Sequence, residues 1–482
     1  MYARAWFPCQ DTPSVKFTYT AKISVPKVFT VLMSAVFQNK NSEDPKLDVY
    51  EFCQDKSVPS YAVIIAVGAL EKEELNARSS LYAEKTYLTS ARHTFRSGIN
   101  TIECMLKDAK SLCGPYFWSR YDICVLPPSI AHFEIECPCV MFISPTLLPG
   151  DRSIISLLAR YISKSWAGYL VTCSNYEHLW LNKSFSIFIS RKIISKLLIQ
   201  IEDINSLLKR KGLCILRYKI KKSTNFTWPK CLLPNLKDVF PAIEATEYVP
   251  YERGCMLLEE LENMLGGPSV FEPFFKSYFN EFAFKSINTQ EWKAYLYQYF
   301  PEKKEMLDDV AWSMWFCDDP PPPIVPEKTA WETKYFELAE EWTQTHNIPD
   351  ALRDRNINLH LEKSLFLQYL HVLHHLRVKL ITEEKLKRIL EHYKFEEYCE
   401  HNAVIRFLWL LLCIKVRWAK KVDSALNFAI EYCLPVIACP IFKRLYEWEE
   451  MRRKAIETYK SNKGKMLYET QKELDEILHL KS

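Results

Sequence analysis

The chain is 482 residues long, 48% hydrophobic and 25% charged, with a formal net charge of +4. That length exceeds one ordinary hydrophobic core, so two or three domains are expected, and a charge so near balance gives no ground for nucleic acid or an acidic membrane as partner. Sixteen cysteines in a chain of this size fall far below the density of disulfide scaffolds, and Met1 to Asp11 holds no apolar core of signal-peptide length, so free thiols in a cytoplasmic protein are expected.

Residues 17–25 alternate apolar and polar side chains and predict a half-buried antiparallel strand. Residues 61–68 form a continuous apolar run and predict a strand buried on both faces. An N-terminal β domain over residues 1–81 follows. From about Tyr82 the period changes, and residues 93–112, 154–169, 185–198 and 251–265 carry apolar side chains at helical spacing. They predict a mostly helical domain over residues 82–317.

The acidic proline run 318–323 cannot continue a helix and prefers an extended form, which marks a linker over residues 318–327. Beyond it, residues 331–345, 363–380, 383–393, 403–416, 422–432 and 446–461 repeat apolar positions at i, i+3 and i+4. Short polar links between them predict a C-terminal domain, residues 328–482, of antiparallel helix pairs stacked in a solenoid-like layer. The fold class expected is α+β, multidomain. The apolar run 403–416 contains Arg406 and falls short of the ~20 residues that span a bilayer, so no membrane span is expected.

Three smaller signals have plain readings. His371 and His375 stand four apart on a predicted helix, a spacing used by metal ligands, but no third ligand is near. With Tyr369, Leu373 and Leu376 as the apolar face, His371, His374 and His375 are expected toward solvent. Cys137 and Cys139 flank a proline, where buried thiols are a better reading than a redox pair. The basic stretch 209–222 is expected to be a solvated loop and strand.

The segment that carries chemistry runs through Arg160, Tyr161 and Lys164, then eighteen residues, then Lys183. Around it, Leu179-Trp180-Leu181-Asn182-Lys183-Ser184, Phe7-Pro8-Cys9-Gln10-Asp11, Val249-Pro250-Tyr251-Glu252-Arg253-Gly254 and Cys439-Pro440-Ile441-Phe442-Lys443 resemble the gluzincin zinc aminopeptidases, in the branch containing leukotriene A-4 hydrolase and aminopeptidase B. That resemblance covers nearly the whole chain. It implies a partial N-terminal β saddle domain, a thermolysin-like, mostly helical domain of the catalytic type and a C-terminal helical domain. It also implies that the chain begins inside the saddle domain.

In that family two histidines and a catalytic glutamate lie in HExxH, with a further glutamate ligand after the same gap. By this resemblance the ligand positions are Arg160, Lys164 and Lys183, the base position is Tyr161 and the proton-donor position is Tyr251. Pro127-Pro128-Ser129 and Glu134-Ile135-Glu136-Cys137 lie where the family has its G-x-M-E-N motif, which leaves Glu136 and Tyr251 as vestigial substrate-binding residues. The arginine and lysine that hold the substrate carboxylate in leukotriene A-4 hydrolase match Leu434 and Val436 here.

Guanidinium and ammonium groups offer no lone pair to a metal, and without a carboxylate at position 161 no base takes a proton from water. The expectation is therefore a catalytically inactive relative with no cofactor, zinc being the cofactor of the family, that works by binding peptides or a protein partner. Salt bridges from Arg160, Lys164 and Lys183 to Glu134 and Glu136 are the expected structural use of the cations. Binding of an anionic ligand, or a new lysine chemistry, are poorer readings. The alternative is an active zinc-dependent aminopeptidase or epoxide hydrolase with ligands from elsewhere, for which His132 and His178 stand at unsuitable spacings.

Overall fold

The computed structural model describes all residues except 1, 2, 128–135, 146, 147, 149–153, 200, 202, 223–230, 237–248, 317–322, 345–359, 377–380, 396–401, 481 and 482. It has an N-terminal β unit, a central helical unit and a C-terminal helical unit, as the residue pattern predicts. Strands β1 (Lys16–Pro26), β2 (Thr30–Met33), β3 (Val36–Asn41) and β4 (Leu47–Pro59) open the chain. Strand β4 lies between β1 and β3, antiparallel to both. The alternation read over residues 17–25 is the exposed–half-buried alternation of β1.

Residues 61–68 do not form one doubly buried strand. A 3₁₀ turn at Ser60–Ala62 takes the first residues, and β5 (Ile65–Gly68) pairs only with β2, leaving Val67 47% exposed. Helices also do not take over at Tyr82. Strands β6 (Leu70–Glu74), β7 (Ser80–Glu84), β8 (Asp122–Val125), β9 (Glu136–Cys137) and β10 (Val140–Ile143) join in one sheet of order β6-β7-β8-β10-β9. Strand β7 thus crosses position 81, and the sheet floors the central unit.

Helix α1 (Lys85–Cys113) lies over that sheet, followed by α2 (Ile155–Lys164) and α3 (Trp180–Leu197). Helix α3 buries Trp180, Phe185, Phe188 and Ile194 together with Asn182, Ser184 and Ser190, because it runs through the centre of the main core. Residues 209–222 belong to helix α4 (Ile204–Lys222), not to a loop and strand. Helices α5 (Val249–Met264), α6 (Pro268–Glu281) and α7 (Thr289–Tyr299) complete the core, joined by a short pairing of β11 (Thr172–Cys173) with β12 (Ser286–Ile287).

Short helices α8 (Lys304–Asp308) and α9 (Trp312–Phe316) lead to the C-terminal unit. Most of the proline run lies outside the described residues. Then come α10 (Ala330–Gln344), α11 (His360–Leu376), α12 (Glu383–Tyr393), α13 (Ala403–Lys415), α14 (Val422–Tyr432), α15 (Pro435–Glu447), α16 (Glu449–Asn462) and α17 (Tyr468–Ile477). Thr382 and Asn402 cap α12 and α13 by accepting backbone N–H groups. Arg210 of α4 ties this unit to the central one through Glu332 of α10 at 2.8 Å. Among the described residues no helix is long and apolar enough to cross a membrane.

Candidate functional site

Helix α2 packs Ile155, Leu158, Ala159 and Ile162 into the core. Its exit is fixed from three sides. Tyr61 of the β unit donates to the Gly168 carbonyl at 2.6 Å. Lys16 donates to the carbonyls of Tyr169 and Leu170 at 3.1 and 2.9 Å. Asn182 of α3 accepts the N–H of Cys173 at 2.8 Å. Gly168 sits at φ 132°, where a side chain is disfavoured, and lets the chain reverse there. The β unit therefore sets where α2 ends, although Lys16 and Tyr61 carry no sequence signal of that role.

Arg160 and Lys164 occupy successive turns of α2, with their charged ends 5.9 and 5.3 Å from the ring centre of buried Tyr161. Lys164 is buried and Arg160 half-buried. Arg160 lines a recess of about 310 Å³ shared with Ser190 and Arg191 of α3 and Glu252 of α5. Lys183 points instead at α5: its Nζ donates to the Tyr251 hydroxyl at 2.7 Å and lies 4.8 Å from that ring centre. So the structure joins Lys183 to Tyr251 and sets Arg160 beside the Arg191–Glu252 pair. Glu134 lies outside the described residues and Glu136 is described in its backbone only, so the expected salt bridges from the cations to these two carboxylates fall outside what is described.

Arg191 and Glu252 are site residues that sequence reading missed. Arg191 reaches Glu252 at 2.5 Å and Glu259 at 3.3 Å, and it donates to the Leu208 carbonyl at 3.3 Å. Burial pushes the Glu252 carboxyl up while the Arg191 guanidinium pulls it down. The only available signal was the adjacency of Glu252 to Tyr251.

The remaining candidates sort out by their partners. His178 is buried, and its Nδ1 accepts the Thr289 N–H at 3.3 Å beside the Thr289 hydroxyl at 2.9 Å; burial lowers its pKa. It braces the start of α7. Cys137 and Cys139 are buried thiols, as expected; the Cys137 thiol donates to the Val140 carbonyl at 3.3 Å, and burial pushes Cys139 up to about 12. Leu434 is buried and Val436 66% exposed, so neither supplies a charge. The solvent-facing reading fails for His371, which is enclosed between α11 and α13: its Nε2 donates to the Leu408 carbonyl at 2.8 Å, so its Nδ1 lone pair accepts from Lys415 at 3.0 Å. His374 is half-buried and His375 exposed.

Three family models match the chain: the M1 peptidase N-terminal domain over residues 1–62, the peptidase family M1 domain over 99–315 and the leukotriene A4 hydrolase C-terminal domain over 360–478. The leukotriene A-4 hydrolase of Xenopus laevis is 35% identical over 99% of this chain and 77% of its own length. Leucine aminopeptidase 2 of Saccharomyces cerevisiae is 35% identical over 71% of this chain, which spans 50% of that relative. The solved leukotriene A4 hydrolase of Saccharomyces cerevisiae superposes with a TM-score of 0.88 at 28% identity, over 100% of this chain and 76% of that one. An M1 zinc metallopeptidase from Deinococcus radiodurans shares the fold at a TM-score of 0.51 and 20% identity, over 68% of this chain and 69% of that one.

These relatives correct the expectation of no cofactor. The chain matches the peptidase family M1 domain, and a solved protein of that family is a zinc metallopeptidase, so zinc is the group that membership brings. The residues at the positions given by the motif spacing do not fit it. The Lys183 amine donates its proton to Tyr251, the guanidinium of Arg160 has no lone pair, and among the described residues no three His, Cys, Asp or Glu side chains gather to hold an ion. Fold, matched segments and relatives agree: the chain belongs to the M1 peptidase family, in the branch of leukotriene A-4 hydrolase.

Proposed function

We propose that this protein is an M1 aminopeptidase-fold protein that does not hydrolyse peptides and acts in the cytoplasm by holding a peptide or a partner protein. The observation that carries the reading is the 2.7 Å bond from Lys183 to Tyr251. An ammonium can only donate, so the bond occupies the oxygen of Tyr251 and puts an amine where the family motif has a metal-binding carboxylate. Tyr161, at the base position, carries a phenol where the family motif has a carboxylate. General-base activation of water asks for a group that titrates near the working pH, and a phenol of pKa ~10 lies far from it. Leu434 and Val436 leave no cation for a substrate carboxylate at the positions matched to that role.

The test is turnover of aminoacyl fluorogenic amides by the full chain with zinc supplied in excess. No release above the blank is expected, while a panel of short peptides shifts the melting temperature or binds in calorimetry. Zinc-stimulated turnover that disappears in Tyr251→Phe would overturn the reading in favour of an active aminopeptidase.

A further inference from the structure

The C-terminal unit contains a recess that the hydrolytic or non-hydrolytic reading does not use. It opens where the ends of α11, α13 and α15 meet, holds about 310 Å³ and is walled by Lys415, Arg417, Arg444 and His374, with Trp448 as an apolar face. Among the described residues three cations converge there against one lining carboxylate, Glu447, which is already engaged by Arg444 at 3.1 Å. We propose that this recess is a binding site for a phosphate monoester, whose dianionic head is held by Lys415, Arg417 and Arg444 while its organic part lies against Trp448.

Several features support the proposal independently of the catalytic site. Lys415 is oriented by giving one proton to His371 Nδ1 at 3.0 Å, with His371 itself fixed by the Leu408 carbonyl. That arrangement keeps His371 a neutral acceptor and leaves further ammonium donors to a ligand. The Nδ1 of His374 is buried and has no hydrogen-bond partner among the described residues, and such a nitrogen calls for a partner. Arg417 holds a left-handed backbone, φ 61°, where glycine is the ordinary choice at a helix C-terminus. The carbonyls that end α13 are already capped by the N–H groups of Val416, Arg417 and Trp418, so they do not need cations to satisfy them.

Apart from Glu447, the charges that line the recess have one sign. Lys415 is lowered to about 8 by burial and by Arg444. His374 is lowered by burial and then by Lys415, Arg444 and His375, with no carboxylate acting the other way. A compact dianion relieves that repulsion at several points at once, whereas a carboxylate of one charge satisfies a single fork. A recess of this size also suits a small oxyanion head better than the long stripe that a nucleic acid needs.

The test uses the full chain and three ligands at matched ionic strength: phenyl phosphate, inorganic phosphate and acetate. Calorimetry is expected to give one site per chain, with phenyl phosphate tightest and acetate weakest. Arg444→Gln and the exposed Arg417→Gln should each weaken phenyl phosphate roughly ten-fold, the loss of one charge-assisted hydrogen bond, while Lys22→Gln on strand β1 of the N-terminal unit leaves it unchanged. In the unaltered protein the His374 ring proton resonance should titrate at higher pH with phosphate bound, a readout that survives any folding defect of the variants. Equal affinity for phosphate and acetate, no effect of Arg444→Gln, or an unmoved His374 titration would each overturn the proposal.

Discussion

Lys183 of α3 and Tyr251 of α5 are joined by a 2.7 Å hydrogen bond, with the amine also 4.8 Å from the centre of the ring it donates to. The bond crosses 68 residues of sequence and ties helix α3 to helix α5. Each side chain has other contacts as well, so a single substitution removes more than the pair. A double-mutant cycle of Lys183→Met and Tyr251→Phe isolates it. A charge-assisted bond between half-buried groups predicts a coupling of about 1.5 kcal/mol in urea denaturation. A coupling indistinguishable from zero would mean that the contact is incidental.

Three residues along α5, Gly254 faces α3 at a distance that leaves no room for a methyl group. A Cβ there would stand 1.9 Å from the Ser184 hydroxyl, 2.7 Å from the Ser184 Cβ and 3.0 Å from the Trp180 ring. Ser184 cannot swing away without giving up its bond to the Pro250 carbonyl. Gly254→Ala should therefore destabilise by about 3 kcal/mol, the upper range for overpacking a well-filled core. Adding Ser184→Gly clears the two closest atoms and should recover part of the loss. If Gly254→Ala melts at the temperature of the parent protein, the helices are not in the close contact described.

What could be read from the residues divides along a physical line. Helices with one apolar face were legible to the residue: the expected 383–393 and 422–432 coincide with α12 and α14. The expected helix at 446–461 instead merges the end of α15 with α16, because neither Pro nor Gly marks the break at Trp448, while Pro435 and Pro440 lie inside α15 and hid it. Leu216 to Lys221 alternates apolar and charged residues and so mimics a strand, although it forms the end of α4. The positions of Arg160, Lys164 and Lys183 followed from motif spacing, but their partners did not. His371 shows the same limit, since Leu408 and Lys415 lie 37 and 44 residues away.

Arg191 and Glu252 form the ion pair that replaces solvent in the recess beside Arg160, both with side chains at most 11% exposed. Glu252 is also pressed against α4, where a Cβ on Gly212 would stand 2.1 Å from its carboxylate oxygen. Removing Arg191 strands the Glu252 carboxylate, whereas removing Glu252 leaves Arg191 its contact with Glu259 at 3.3 Å. Arg191→Met should therefore cost about 3–5 kcal/mol and Glu252→Gln less, and Arg191→Met combined with Glu252→Leu should cost clearly less than the sum. The check is the urea midpoint at unchanged slope. Additive losses in the double variant would show that the two charges do not stabilise each other.

Lys16 gives a pH signature. Burial lowers its pKa to about 7, with Cys173 acting the other way, while the same amine titrates near 10.4 in the unfolded chain. Between these values the unfolded chain binds a proton that the folded protein does not, so the Lys16 contribution favours folding more as pH rises from 7 to 10.4 and is lost as pH falls back through 7. Cys173, pushed up to about 12 by burial, works in the opposite sense at high pH, because its folded form keeps a proton that the unfolded thiol releases. The two effects separate in the difference between the parent and Lys16→Met. Above pH 7 that difference should drift steadily in favour of the parent, and below pH 7 it should be flat. A flat difference across the whole range would place the Lys16 amine in water rather than against the Tyr169 and Leu170 carbonyls, and would release the end of α2 from its anchor on the β unit.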